Sequence, residues 1–378
     1  MGLHISLLLL VVFKWTFYIT ARGKCGFLNN SVTYEFFNVI IRGVAKTQEI
    51  FMNHSIILGN VGNFSDRYMG CSYQRDYSIH EMFDRVRSVK GVTGVELVSN
   101  WQITAKNCKE VKAEMERTGL KLVSIIPDHF GIKVYGKGAF TSKDPKVRAK
   151  AVEDTKEMMD IAHELGGNLV SLWPGQDGYD YHFQGDYIEE RGWFEEGVKQ
   201  CCQYRRDVNV SIEYKPKEPR NFSYPANVTG TLLMIDHMGE KNLGVTIDYG
   251  HGAVAGENLA ESVALCKMYG DKLLHVHMND NYGHWDDDMI TASIHTIPFI
   301  EFFYWLKKTG YSHFISTDQY PYREDGRDAC NESVRWFDIL EGIADKIDEK
   351  RMKEIWKTGN ACEVSAMLRD VMFGDKTE

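Results

Sequence analysis

DPKVRAKAVEDTKEMMDIAHELGGNLVSLWP, residues 144–174, carries two periodicities back to back. Val147, Ala151, Met158, Ile161, Ala162 and Leu165 recur at the spacing that gathers apolar side chains on one helical face. Asp144 and Pro145 open that segment as cap and first-turn residue, and Gly166-Gly167 close it. The run that follows, NLVSLWP, is short, apolar and bounded by turn residues, as a buried strand is. A helix that feeds straight into a strand is half of a βαβ unit, and the fold depends on how often the unit recurs.

It recurs from residue 55 onwards. Strand-like runs occupy 55–61 (SIILGNV), 94–100 (GVELVSN), 122–128 (LVSIIPD), 168–174, 210–216 (VSIEYKP), 244–250 (GVTIDYG), 273–279 (LLHVHMN) and 313–319 (HFISTDQ), with longer charged segments between them. Such alternation implies a parallel sheet covered by helices. Eight units, with no G-x-G-x-x-G after the first strand, predict closure into a (β/α)8 TIM barrel rather than an open doubly wound sheet. From about residue 328 the tail reads as the last barrel helix and one extra C-terminal helix, DEKRMKEIWKTGNACEVSAMLRDVM. No linker rich in Pro, Gly or Ser interrupts the chain, so residues 52–378 are expected to form a single α/β domain.

Residues 1–51 are expected to stand outside that domain. ISLLLLVVF (5–13) is too short to span a bilayer, and it lacks both a preceding Lys or Arg and a small-x-small cleavage site. Met52, just before NHSIILGNVGNF, is expected to be the natural start; a secretory signal is the alternative, and only then would the seven N-x-S/T sequons matter. The eight cysteines show no CxxC spacing and read as reduced thiols of a cytoplasmic protein. A net charge of −9 argues against a phosphate-backbone surface, so neither nucleic acid nor membrane is an expected partner.

In a barrel the reactive end is the C-terminal rim of the strands. There the third strand ends in Asp128, His129 and Phe130, the fourth in Trp173, the sixth in Asp248 and His251, and the eighth in Asp318. The fifth carries Glu213 and Lys215, two apart and so on one face. The seventh runs through His275, His277, Asn279 and Asp280 to His284 and Asp286-Asp287-Asp288. Taken singly these residues are caps, loop acids or packing groups, and His275 is read as a packing histidine facing the helices. Glu213, Asp248, His277 and Asp318, from four successive strands, point to one mouth. Their oxygen and imidazole ligands suit Mn²⁺, Co²⁺, Zn²⁺ or Mg²⁺. His251, Asp286 and Asp288 make a second cluster. Converging carboxylates with no cation would be costly.

At these residues the chain resembles the xylose isomerase-like superfamily, which includes xylose isomerase and L-rhamnose isomerase, over roughly 55–326. IEYKPKEPR, GAFTSKDPKVRAKAV and LWPGQDG are similar to segments of xylose isomerase, and HMNDNYGHWDDD looks closer to the L-rhamnose isomerase form. The resemblance implies a structural metal on Glu213, Asp248, His277 and Asp318, and a catalytic metal on Asp248, His251, Asp286 and Asp288. It implies that Lys215 lies beside the reacting carbonyl and that Trp173 walls the sugar. Where xylose isomerases carry a ring-opening His at the end of strand two, this chain has Asn100-Trp101, and His129 is the candidate substitute. The D-x-D spacing also differs by about a residue from both relatives.

The activity expected from this resemblance is aldose–ketose isomerisation, a C1–C2 hydrogen transfer dependent on a divalent metal, most simply Mn²⁺, with one or two ions. Glu213, Asp318 and His129 are the candidate proton-transfer groups, and Trp173, Phe130 and Lys215 the sugar contacts. A sugar epimerase, or a lyase acting on a keto-sugar or oxidised glycoside, would use the same deprotonation of carbon beside a carbonyl. Asp318 stands where the superfamily's 3-epimerases carry Glu, which favours the isomerase. A metal-dependent endonuclease would want a basic groove, and a catalytically dead sugar-binding barrel would show broken ligands. Barrels of this kind are often dimers or tetramers, so a homo-oligomer is expected.

Overall fold

In the computed structural model, which describes residues 52–63, 69, 70, 72–320 and 323–374, eight parallel strands close on themselves because the first pairs with the last. The strands are β1 (Asn53–Ile57), β2 (Val92–Val98), β3 (Lys121–Ile126), β4 (Leu169–Leu172), β5 (Asn209–Glu213), β6 (Leu243–Asp248), β7 (Leu273–Met278) and β8 (Phe314–Thr317). Their order around the barrel is β1-β8-β7-β6-β5-β4-β3-β2. Each falls on one of the eight runs read from the sequence. The expectations for residues 1–51 lie outside the described residues.

The helices are α1 (Ile79–Ser88), α2 (Cys108–Thr118), α3 (Pro145–Glu164), α4 (Tyr187–Tyr204), α5 (Val228–Met238), α6 (Tyr249–Val254), α7 (Leu259–Met268), α8 (Thr296–Thr309), α9 (Gly326–Ala344), α10 (Glu349–Thr358) and α11 (Ala361–Phe373). Helix α3 starts where its sequence says, with the Asp144 carboxylate accepting from the Lys146 amide and Pro145 in the first turn. The C-terminal extension, expected as one helix, is the pair α10 and α11. Gly359 takes a left-handed φ of 63° that stops α10, and Asn360 caps α11 by accepting from Cys362 N–H. Among the described residues no helix is long and apolar enough to cross a membrane.

The apolar core lies between the strands and the helices, where Phe194, Phe299, Phe302, Phe303 and Phe337 are fully buried. The lumen is different. Ser171 Oγ on β4 meets Thr246 Oγ1 on β6 at 2.9 Å, and Thr246 also donates to Ser211 Oγ on β5 at 2.7 Å. β4 and β6 are not neighbours in the sheet, so their contact spans the interior. On the other side of the lumen Ser55 and Ser316 share a hydrogen bond. Hydroxyls thus fill positions that Val, Ile and Leu usually fill in this architecture. A small apolar cluster of Ile57, Val98 and Ile126, with Phe130 against it, lies apart from the main core.

The described cysteines are all free, and burial pushes the thiols of Cys201, Cys266 and Cys330 up to about 12, which makes them packing groups rather than nucleophiles.

Helix α9 begins against the short 3-10 turn, Leu58–Val61, that follows the first strand of the barrel. Arg85 of α1 grips both oxygens of the α9 cap Asp325 at 2.9 Å, and a Cβ on the next residue, Gly326, would overlap the Asn60 carbonyl oxygen. Gly342, sixteen positions on in the same helix, has open space where its Cβ would be. Gly326→Ala is therefore expected to lower stability by about 1–3 kcal/mol in equilibrium urea unfolding. Gly342→Ala should leave stability unchanged or raise it by about 0.5–1 kcal/mol. Equal effects of the two would show that the approach of α9 to Asn60 is not tight.

Candidate metal centre and active site

Four strand ends build the first cluster. Glu213 closes β5, Asp248 closes β6, His277 lies on β7 and Asp318 follows β8; each offers an atom within 4.8 Å of the others. His277 Nδ1 stands 3.3 Å from a Glu213 oxygen and 3.2 Å from an Asp318 oxygen. Yet Nδ1 makes no hydrogen bond, although it is fully buried. Asp248 is held by Asn279 Nδ2 at 2.8 Å through one oxygen, and through the other it caps α6 by accepting from His251 N–H at 2.8 Å. That cap is why His251 comes from the first turn of a helix: the D-Y-G-H spacing places an imidazole one turn after a strand-end carboxylate.

The second cluster joins Asp248, His251 and Asp286, again within 4.8 Å. One Asp286 oxygen receives both Lys215 Nζ at 2.8 Å and His251 Nε2 at 3.0 Å. Lys215 also lies 3.6 Å from Glu218. Asp288 lines the cavity beside this group without joining it, on a backbone with φ 51°. The loop that carries both acids is pinned at its base. Asp280 and Met289 exchange backbone hydrogen bonds at 3.0 and 2.9 Å, and buried Asp280 accepts from the Ile294 and His295 amides and from His295 Nδ1.

Both clusters open on one cavity of about 410 Å³. Trp173 forms part of its wall: Phe130 packs on it at 4.5 Å between ring centroids, His251 stacks on it at 6.3 Å, and Lys215 Nζ lies 5.2 Å from its ring. Trp101 extends the wall, edge-on to Phe130 at 5.8 Å, with its indole N–H donated to Asp128 at 3.1 Å. His129 is not brought here. It is buried edge-on to Tyr135 and Phe140, both at 5.1 Å, and burial pushes its pKa down to about 4. The turn after β3 sends residue 129 outwards to the helices while Asp128 and Phe130 stay at the mouth, so it does not stand in for a ring-opening histidine. Arg220 lies apart too, paired with Asp180 at 2.7 Å.

His275 corrects the reading made of it. It is two residues from His277, so it shares that residue's face and points into the lumen, where its Nε2 meets Glu96 at 2.8 Å. Sequence reasoning misses Glu96, and also Glu218 and Tyr320, which line the cavity with Trp101. The signal for Glu96 was a carboxylate in the middle of an apolar strand run, GVELVSN.

The electrostatics favour a cation. Glu213, Asp248, Asp286, Asp288 and Asp318 converge on Lys215, His251 and His277. Burial works against charge on Glu213, but His277 beside it holds its carboxyl below the ordinary range. Burial, with the neighbouring acids, pushes Asp248 up to about 7 and raises Asp288 and Asp318. His251 is raised to about 9 because Asp248 and Asp286 outweigh its burial. The carboxylates cannot all be charged together by their own partners. A divalent ion at the unsatisfied His277 Nδ1, among three carboxylates, fits this hard oxygen-and-imidazole set.

A family model described as "xylose isomerase-like TIM barrel" matches residues 83–340, and the chain belongs to that family. The xylose isomerase of Thermus thermophilus is 31% identical over 188 residues, 48% of each chain, so this chain spans about half the length of that curated relative. A D-tagatose 3-epimerase-like protein superposes with a TM-score of 0.61 at 20% identity, covering 77% of this chain and 98% of that one. A 3-keto-D-glucoside 4-epimerase from E. coli superposes with a TM-score of 0.59 at 17% identity, covering 76% and 99%. These two likenesses are of fold.

If the first cluster holds a cation, Mn²⁺ should raise the thermal unfolding midpoint and EDTA should reverse the rise, by about 2.7 kcal/mol of stabilisation at a hundredfold excess over Kd. Asp318→Asn, which removes one carboxylate from a crowded group, should leave the metal-free midpoint unchanged or higher and cancel most of the Mn²⁺ effect. A full Mn²⁺ response in that variant would remove Asp318 from the ligand set.

Proposed function

We propose that this chain is a divalent-metal-dependent aldose–ketose isomerase, with Mn²⁺ as the ion. One observation carries the reading: Lys215 and the Glu213–Asp248–His277–Asp318 cluster meet at the same cavity, beside an aromatic wall that suits the C–H face of a sugar. A divalent cation in the first cluster supplies Lewis acidity towards the substrate's oxygens.

The remaining work belongs to side chains. Lys215, with its charge held by Asp286 against the cost of burial, donates to a carbonyl oxygen as that oxygen becomes anionic. Glu213 and Asp318 are the candidate groups for taking a proton from one carbon and returning it to the next. Trp173 and Phe130 exclude water from one side and orient the chain of the sugar, which supplies proximity. A homo-oligomer, dimer or tetramer, is the assembly proposed, on the family resemblance alone.

A second reading is an epimerase or a lyase acting on a keto-sugar or oxidised glycoside. Its support is the fold likeness to a 3-epimerase-like protein and a 4-epimerase, and the approach of the Glu213 and Asp318 carboxylates to within 3.3 Å of His277 Nδ1. The site chemistry differs only in which carbon loses its proton.

Incubation of the Mn²⁺-loaded protein with a panel of aldoses and ketoses in D₂O, followed by NMR, is expected to show C1–C2 interconversion. Inversion at C3 or C4 would replace the isomerase by an epimerase, and turnover of a 3-keto-glycoside alone would replace it by a lyase. Lys215→Met should lower kcat by about 10²–10³. An unchanged kcat would take Lys215 out of the chemistry.

A further inference from the structure

Glu96 lies on β2 and its partners on β7, with β1 and β8 between them in the sheet. Its side chain therefore crosses the lumen. It is completely buried; one oxygen meets His275 Nε2 at 2.8 Å, and the other meets His277 Nε2 at 3.3 Å and accepts from the Ser124 hydroxyl. The grouping of Glu96, His275 and His277 has the ligand types of a metal site. Its close contacts are already hydrogen bonds, however, and they account for the carboxylate without an ion.

The Glu96 oxygen that faces His277 Nε2 also receives the Ser124 hydroxyl, so it acts as an acceptor there and His277 Nε2 is the donor. That choice has a consequence at the other end of the ring. With the proton kept at Nε2, Nδ1 is the atom left to bind, and it is Nδ1 that faces Glu213 and Asp318 with no hydrogen bond of its own. We propose that Glu96 is the positioning residue of the metal centre: it fixes the orientation and tautomer of His277 so that the Nδ1 lone pair points into the carboxylate cluster. The inference rests on reading that cluster as a cation site. It assigns Glu96 no contact with substrate.

Metal affinity and protonation test it without reference to turnover. Calorimetric titration of Glu96→Gln with Mn²⁺ should show binding about 10–100-fold weaker than in the unchanged protein. In the unchanged protein, ¹⁵N-histidine NMR of the Mg²⁺-loaded form should show His277 with its proton on Nε2 and none on Nδ1, and the Nε2 resonance should move in Glu96→Gln. An unchanged Mn²⁺ affinity in a Glu96→Gln protein with the usual unfolding midpoint would overturn the proposal, as would a His277 proton on Nδ1 in the Mg²⁺ form. Should Glu96→Gln fail to fold, the NMR of the unchanged protein decides alone. Tight Mn²⁺ binding and an Nε2 proton, with no sugar turned over, would support the role of Glu96 while sinking the isomerase reading.

Discussion

Pairing between β1 and β8, in register from Asn53↔Phe314 to Ile56↔Thr317, closes the sheet, and the rest of the molecule depends on that closure. Glu213 and Asp318 stand 105 residues apart in the chain, yet both reach His277 within 3.3 Å because the strands form a ring and not a ribbon. Closure also makes a lumen. In an open sheet β2 and β7 would lie near opposite edges, and Glu96 would keep only the Ser124 hydroxyl and lose both imidazoles. The strands are short, so the rim cluster of Glu213, Asp248, His277 and Asp318 lies only a few residues from that lumen.

Much of this was legible in the chain itself. A strand that is buried on both faces must be a short apolar run, and a helix between two such runs must show one apolar stripe; both patterns are local, so all eight units could be read. The rim cluster was legible for a related reason. The architecture fixes which end of each strand is reactive, so Glu213, Asp248, His277 and Asp318 needed only their strand positions. What stayed hidden was non-local. Glu96 finds its partners 179 and 181 residues away, and nothing beside it in GVELVSN announces a pair of imidazoles. His129 was hidden for a different reason: past the end of a strand the alternation of faces no longer holds, so adjacency to Asp128 said nothing about direction. The break between α10 and α11 turned on one glycine whose left-handed backbone ended an otherwise continuous helical pattern.

The two halves of the rim are supported unequally. The first cluster is fixed by four strand ends, with Asn279 and Glu96 bracing two of its members. The second borrows Asp286 from a loop, and the base of that loop is pinned by Asp280, Met289 and His295. Lys215 binds the same Asp286 oxygen that His251 uses. An ion there would compete with a buried ammonium for one carboxylate. Among the described residues no ammonium pairs with the first cluster, although His251 Nδ1 stands 3.3 Å from Glu213.

The hydrogen-bonded lumen has a meaning beyond the rim. An apolar lumen tolerates a strand that pairs one residue out of step, since one branched side chain fills space much like another. Here a slip of β2 by one residue would turn Glu96 out towards the helices and bury a different side chain opposite His275 and His277. Both imidazoles would then lose their acceptor in a place that water does not reach, and the carboxylate would lose its donors. The polar interior thus acts as a key for strand register during folding: the misaligned barrel is penalised by groups that only the correct alignment can satisfy.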